Sequence, residues 1–294
     1  MLLSLEGLSV GDAFGQCFFS AFNHLPMPGR PRLLPPAPWV YTDDTAMACG
    51  IVEVLLRLGE IDQDELAITF AKRFMADPDR GYGGMAKSIL TEIYAGRPWH
   101  RVAPLAFAGN GSMGNGSAMR VAPLGAWFAD EISALIEHAA RSATVTHAHP
   151  EGVAGAIAVA LAAAFAWNHT RQDARRAGDK LLEFAHDLTP AGQTRDGIAR
   201  ARDLPRDADV RRAADVLGNG ERITCPDTVP LCLWIAARHF DNYVDALWTT
   251  ASAMGDIDTN CAIVGGIVSL SDFMLGVPDT WCAARGPIPL DAQV

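Results

Sequence analysis

The stretch EGVAGAIAVALAAAFAWNH, residues 151–169, is apolar on nearly every face of a helix. Its apolar residues recur at three- and four-residue spacing with no polar stripe between them, so such a helix has to be buried on most sides. NCAIVGGIVSLSDFML, residues 260–275, reads the same way. Small residues, as in GVAGAIAVALAAA and AIVGGIV, let central helices of this kind approach closely. Residues 45–59, 62–75, 130–143, 175–188, 227–240 and 242–254 carry the same helical period. No run alternates as a half-buried strand does. The expected fold class is all-α, a compact multi-helix bundle.

A chain of 294 residues, 49% hydrophobic, buries a large core and sits at the upper end of what one domain holds, so residues 1–294 are expected to form a single domain. The Pro-rich stretch 25–39 lies too near the N-terminus to link two domains and reads as a loop leading into the next helix. Residues 195–215, rich in Asp and Arg, read as a solvated connection or helix face. The net charge of −10 argues against a nucleic-acid partner, which calls for a basic stripe. No apolar run approaches the ~20 residues of a membrane span, and there is no signal-peptide pattern at the N-terminus. The greasiest segment, 154–167, is too short to cross a membrane. Six cysteines, scattered among apolar neighbours without CxxC spacing, suit buried thiols in a reducing cytoplasm.

Against this apolar background two acid clusters stand out. YTDDT places Thr42, Asp43 and Asp44 at the head of an apolar helix, and GDIDT places Asp256, Asp258 and Thr259 at the head of another. Each alone reads as a helix cap, because side-chain oxygens accept from the free amides of the first turn and the macrodipole favours negative charge there. Yet one cap needs one oxygen, and adjacent acids repel unless a cation shares them. If both helix starts converge, four carboxylates and two hydroxyls form an all-oxygen cage suited to Mg²⁺, Mn²⁺ or Ca²⁺. Four acids suit two divalent ions, ~3.5–4 Å apart as in other two-metal sites.

Two further stretches are candidates for ligand contact. GNGS occurs at 109–112 and again at 114–117, and glycine at this density exposes backbone amides that suit an anion such as a phosphate. A tight loop without a ligand is the alternative, since neither a P-loop nor a dinucleotide fingerprint is present. In THAHPEG, Thr146 and His149 suit capping and loop packing, and His147 is left as a candidate ligand contact.

GLSVGDAFG (7–15), YTDDT (41–45), GNGSAMRVAPLG (114–125), THAHPEG (146–152) and GDIDTNCAIVGGIV (255–268) together resemble, in order, the blocks of the ADP-ribosylglycohydrolase family. ITCPDTVPLCLWIAARHF is similar to a bacterial subgroup of it. The resemblance implies an orthogonally packed all-α domain with two Mg²⁺ or Mn²⁺ ions that cleaves ADP-ribose from an acceptor. Thr42, Asp43, Asp44, Asp256, Asp258 and Thr259 would be metal ligands. Ser112, Met113, Gly114, Asn115, Gly116 and Ser117 would cradle the diphosphate, and His147 would contact the ADP-ribose. A metal-activated water would attack the ribose carbon through a transition state with oxocarbenium character, with Asp44 or Asp258 as general base. The partner implied is an ADP-ribosylated protein or a small ADP-ribose conjugate, with arginine-linked mono-ADP-ribose the first acceptor to test.

The sequence departs from the family at one point. Relatives often carry a glutamate eight residues after Gly11, where this chain has Phe19. Asp79, in DPDRGYGG, is similar in place to an acid that assists catalysis in other members, with turn formation beside Pro78 as its alternative. A crystallin-like or ADP-ribose-binding relative without turnover, a hydrolase of serine-linked or O-acetyl-ADP-ribose, and a nucleotide phosphoesterase remain the alternative functions.

Overall fold

Helix α1 (Leu2–Gln16) carries a glycine every fourth residue, and that spacing organises the molecule. A Cβ on Gly7 would lie 2.4 Å from the Gly265 carbonyl oxygen, one on Gly11 2.2 Å from that of Cys261, and one on Gly15 2.6 Å from that of Ile257. The glycine edge of α1 therefore lies directly on the backbone of α15 (Ile257–Val268), turn by turn. The computed structural model describes residues 1–19, 32–169, 174–205, 207–271 and 276–290. Residues 25–31 of the Pro-rich stretch and 272–275 of the last apolar segment lie outside them.

The remaining helices are α2 (Asp43–Leu58), α3 (Gln63–Ala76), α4 (Gly84–Tyr94), α5 (Trp99–Val102), α6 (Ala106–Gly109), α7 (Ala122–Trp127), α8 (Ile132–Thr144) and α9 (Pro150–Asn168). They continue as α10 (Ala174–Leu188), α11 (Gln193–Asp203), α12 (Val210–Leu217), α13 (Cys225–Arg238), α14 (Tyr243–Ser252) and α16 (Asp279–Arg285). No strand occurs among the described residues, and an isolated bridge joins Gly114 to Thr224. The fold is all-α, as its periodicity requires.

The two segments that are apolar all round take the centre. α9 is enclosed by α7, α8, α10 and α13, and α15 by α1, α13 and α14. The larger of two buried clusters among the described residues runs from Val10 to Trp281, and the smaller packs Leu5 and Leu8 against Ala48, Cys49, Val52 and Ala262. Small residues again set the approach: a Cβ on Gly125 would lie 2.2 Å from the Ala160 carbonyl oxygen, and one on Gly178 1.9 Å from that of Ala237.

One expectation differs from the structure. α9 is 19 residues long, so by length and composition it could cross a membrane, but 83% of its apolar window is buried in the protein. The longer helix arises because His149 caps it, accepting from the Glu151 amide at 3.0 Å, and Pro150 opens it, which adds a turn ahead of the greasy stretch. The charged region 195–215 is a helix face, the second of its two readings: it carries most of α11 and of α12. α11 starts where the buried Glu151 carboxylate accepts from the Gln193 amide at 2.6 Å and from the Thr194 amide at 2.9 Å.

Candidate active site

Thr42 stands at the N-cap of α2, yet no side chain of its own turn caps the helix. Asp12, from the middle of α1, does so instead. Its Oδ2 accepts from the Thr42 amide at 2.9 Å and the Thr45 amide at 3.1 Å. The Thr42 hydroxyl donates to Asp12 Oδ1 at 2.8 Å, and the Thr45 hydroxyl to Oδ2 at 2.5 Å. On the other side of α2, Asp43 donates its amide to the Arg80 carbonyl at 2.7 Å. Arg80 in turn holds Asp77 at 2.7 Å and stacks on Tyr41 with its guanidinium carbon 4.0 Å from the ring centroid. With the amides satisfied from outside, the side chains of Asp43 and Asp44 are relieved of capping and turn into a cavity.

The start of α15 reaches the same place because Gly15 admits it. A Cβ there would lie 2.6 Å from the Cα of Asp258. The structure thus brings the two acid clusters together: one carboxylate oxygen from each of Asp12, Asp44 and Asp258 lies within 4.8 Å of the other two. Asp256 Oδ2 accepts from Asn115 Nδ2 at 2.7 Å, tying the second cluster to the glycine loop.

The carboxyls are held far from their usual range. Burial raises Asp12 to about 6, partly offset by its bonds to Thr45 and Thr42. Burial, then Asp12 and Asp256, raises Asp43 to about 7. Burial followed by neighbouring acids puts Asp44 and Asp258 well above the carboxylate range, and burial raises Asp256. Asp44 Oδ1 is buried with no hydrogen-bond partner. Repelling acids with an unsatisfied buried oxygen are what a hard cation would neutralise, so the residues present fit such an ion. Asp12 is a poorer ligand than its position suggests, since four donors already occupy its lone pairs; it positions the others.

The opposite wall is the glycine loop. The repeated glycines serve two different needs. Gly109 and Gly111 adopt φ of 89° and 73°, whereas Gly114 and Gly116 make room for His147, whose Nε2 would lie 3.2 and 3.0 Å from a Cβ on either. Not every amide of the loop is available: Gly114 donates to Ser112 Oγ at 3.1 Å and Asn115 to the Ile223 carbonyl at 3.3 Å. His147 is buried, and burial followed by the Arg120 charge holds it down to about 3, so it is neutral.

These walls enclose a cavity of about 720 Å³. At its mouth stand Phe107 and Ile223, 56% and 62% exposed, each on a backbone with positive φ (52° and 54°). Large apolar side chains rarely tolerate that conformation, and holding them outward there is strain of the kind found at ligand clamps.

Of the site residues expected from sequence, Asp43, Asp44, Asp256, Asp258, Thr259, Ser112 to Gly116 and His147 line this one cavity. Thr42 is buried behind it, its hydroxyl also 3.0 Å from Asp44 Oδ2. Ser117 is not part of the lining, because its hydroxyl donates to the Gly152 carbonyl at 2.6 Å and pins the loop to α9. Asp79 is exposed in the turn after α3 and does not line the cavity. Phe19 ends a 3-10 turn that continues α1, 54% exposed. Asp12, Arg120, Phe107 and Ile223 were not singled out in the sequence. Asp12 carried the clearest signal: an acid within GLSVGDAFG, a stretch of α1 otherwise made of small or apolar residues, which needs a buried partner.

Acids on one wall and a glycine loop on the other, inside an all-α bundle, define a class of protein whose cavity suits an anionic ligand beside a candidate cation site. The comparisons narrow that class. The ADP-ribosylglycohydrolase family model matches residues 2–288. Human ADP-ribosylhydrolase ARH3 is 28% identical over 320 residues, covering 94% of this chain and 86% of its own. An uncharacterized protein of Archaeoglobus fulgidus is 29% identical over 293 residues, covering 94% and 88%. A solved structure described as an ADP-ribosylglycohydrolase-related protein complex shares the fold, with a TM-score of 0.68 at 23% identity over 97% of this chain and 91% of that one. The chain belongs to the ADP-ribosylglycohydrolase family, which is a family of hydrolases.

Proposed function

We propose that the protein hydrolyses the bond between ADP-ribose and an acceptor, using two Mg²⁺ or Mn²⁺ ions. The observation that carries this reading is the meeting, across one cavity, of the two acid clusters and the glycine loop. Asp43, Asp44, Asp256 and Asp258, with Thr42 and Thr259, would hold the ions, the four carboxylates matching the charge of two divalent cations. Bound there, the ions would supply Lewis-acid charge for ribose hydroxyls and water.

The chain's own residues supply the rest. Ser112 to Gly116 and His147 receive the diphosphate, which explains how a chain of net charge −10 holds an anion without a basic surface. The exposed ring of Phe107, with Ile223 beside the mouth, offers an apolar face to the base. A carboxylate oxygen of Asp44 or Asp258 would take a proton from water as the water oxygen bonds to the ribose carbon and the bond from that carbon to the acceptor breaks, and the same proton would pass to the departing acceptor. Arginine-linked ADP-ribose is the first acceptor to test; serine-linked and O-acetyl-ADP-ribose follow. Four buried thiols, Cys49, Cys225, Cys232 and Cys261, suit the cytoplasm as its compartment.

One observation favours a second reading, binding of ADP-ribose without turnover: Phe19 stands exposed where relatives often carry a glutamate. Incubating the purified protein with Mg²⁺ and each of the three conjugates separates the readings. Free ADP-ribose released from one of them supports hydrolysis. Tight binding of ADP-ribose with no release from any supports the second reading, and release of AMP or phosphate shows a phosphoesterase.

A further inference from the structure

Arg120 is fully buried, lines the cavity, and is engaged by neither the acid clusters nor the glycine loop through a hydrogen bond. Its guanidinium stacks on Phe70 with the central carbon 4.5 Å from the ring centroid. Nη1 lies 3.6 Å from Met47 Sδ, and Nη2 donates at 2.9 Å both to the Ser142 carbonyl and to Thr146 Oγ1. Thr146 Oγ1 in turn lies 2.7 Å from His147 Nδ1. Resting on the reading above, we infer that Arg120 and Thr146 are positioning residues that fix the tautomer of His147, so that its Nε2 presents an N–H to the diphosphate.

The direction of each hydrogen bond follows from what the groups carry. A guanidinium has donors only, so Thr146 Oγ1 must accept from Arg120. The hydroxyl has a single hydrogen, and the remaining partner at hydrogen-bond distance is His147 Nδ1. If Nδ1 carried the proton, the fully buried Thr146 oxygen would face two donors and leave its own hydrogen without an acceptor. Thr146 therefore donates to a bare Nδ1. Burial lowers the Arg120 guanidinium to about 9, which leaves it charged at neutral pH, and burial together with that charge keeps His147 neutral with one N–H. That N–H sits on Nε2, the edge facing Gly114 and Gly116. The opposite tautomer would aim a lone pair at an anion in the loop. Binding would then be opposed where it is now assisted.

Imidazole ¹⁵N NMR of histidine-labelled protein reads the tautomer directly, with the His147 signals assigned by their absence in His147→Gln. The expected result is a protonated Nε2 and a bare Nδ1 in the wild type. Thr146→Val removes the relay at nearly constant volume and is expected to mix the tautomers and weaken ADP-ribose binding about tenfold, the scale of one lost hydrogen bond to a charged group. Thr146→Ser is expected to restore both, while Mn²⁺ affinity stays unchanged in all three. A wild-type proton on Nδ1 overturns the inference, as does Thr146→Val with unchanged tautomer and unchanged affinity. Wild-type protein with the proton on Nε2 but no affinity for ADP-ribose would instead overturn the proposed function.

Discussion

Asp12 caps the helix that Thr42 begins: its Oδ2 accepts the Thr42 amide at 2.9 Å across the junction of α1 and α2. One carboxylate thereby satisfies the first turn of a neighbouring helix and frees Asp43 and Asp44 to face the cavity. Asp12→Ala leaves two buried amides and the Thr45 hydroxyl without their acceptor. The loss expected is about 2–4 kcal/mol in denaturant unfolding, combining a lost cap with a lost buried charged hydrogen bond. Mg²⁺ affinity should fall with it, because the α2 start loses its fixed position.

The carboxylates of the cavity oppose folding when no cation is bound. At a pH high enough to ionise the cavity acids, Asp44→Asn removes one of the repelling charges while keeping the shape of the side chain. Calorimetry of the metal-free protein should show a melting temperature raised by at least ~2 °C, the shift that about 1 kcal/mol makes in a chain of this size. The same variant should lose the extra stability that Mg²⁺ gives the wild type. A lower melting temperature for the metal-free variant would contradict the electrostatic account.

The raised carboxyl values fix a sign for pH dependence. Asp12 and Asp43 titrate at about 6 and about 7 when folded, against ~3.9 for an unperturbed Asp, so the folded protein binds more protons in that window. Their contribution to stability is fully present below pH ~4 and is lost as pH rises through 7. Thermal melts of chelator-treated protein should therefore show these groups lowering stability between pH ~4 and ~7. Mg²⁺ needs the deprotonated acids, so the stabilisation it confers should grow over the same range.

Gly11 and Gly59 make a paired test of what glycine does here. Gly11→Ala places a methyl 2.2 Å from the Cys261 carbonyl oxygen in the α1–α15 junction, where backbone stands on both sides. It should cost more than ~3 kcal/mol or prevent folding. Gly59 has φ of 77° with open space around it, so Gly59→Ala should cost only ~1 kcal/mol. Equal losses for the two would contradict close packing as the reason for the α1 glycines.

The fold was legible where periodicity decides it. The segments apolar on every face could only be interior helices, and α9 and α15 are the central ones. α11 was harder to read, because its burial depends on Glu151, more than forty residues away, holding its first turn. In the site, the acid clusters stood out because carboxylates at the heads of greasy helices demand an explanation. Their convergence depends on Gly15, whose role is visible only once α15 lies against it. Asp12 escaped notice as a functional residue because its partners, Thr42 and Thr45, are thirty residues distant, and Ser117 pointed away from the loop because Gly152 was there to receive its hydroxyl.

The central claim is that the starts of α2 and α15 form one cation site that acts on ADP-ribose conjugates. Its most direct measurement is a titration of Mn²⁺ into chelator-stripped protein, following bound metal and free ADP-ribose released from the arginine-linked conjugate together. The predicted result is two Mn²⁺ bound per chain, release that rises with occupancy, and loss of both in Asp258→Ala. Full release in the presence of chelator, or unchanged Mn²⁺ binding in Asp43→Ala plus Asp258→Ala, would contradict it.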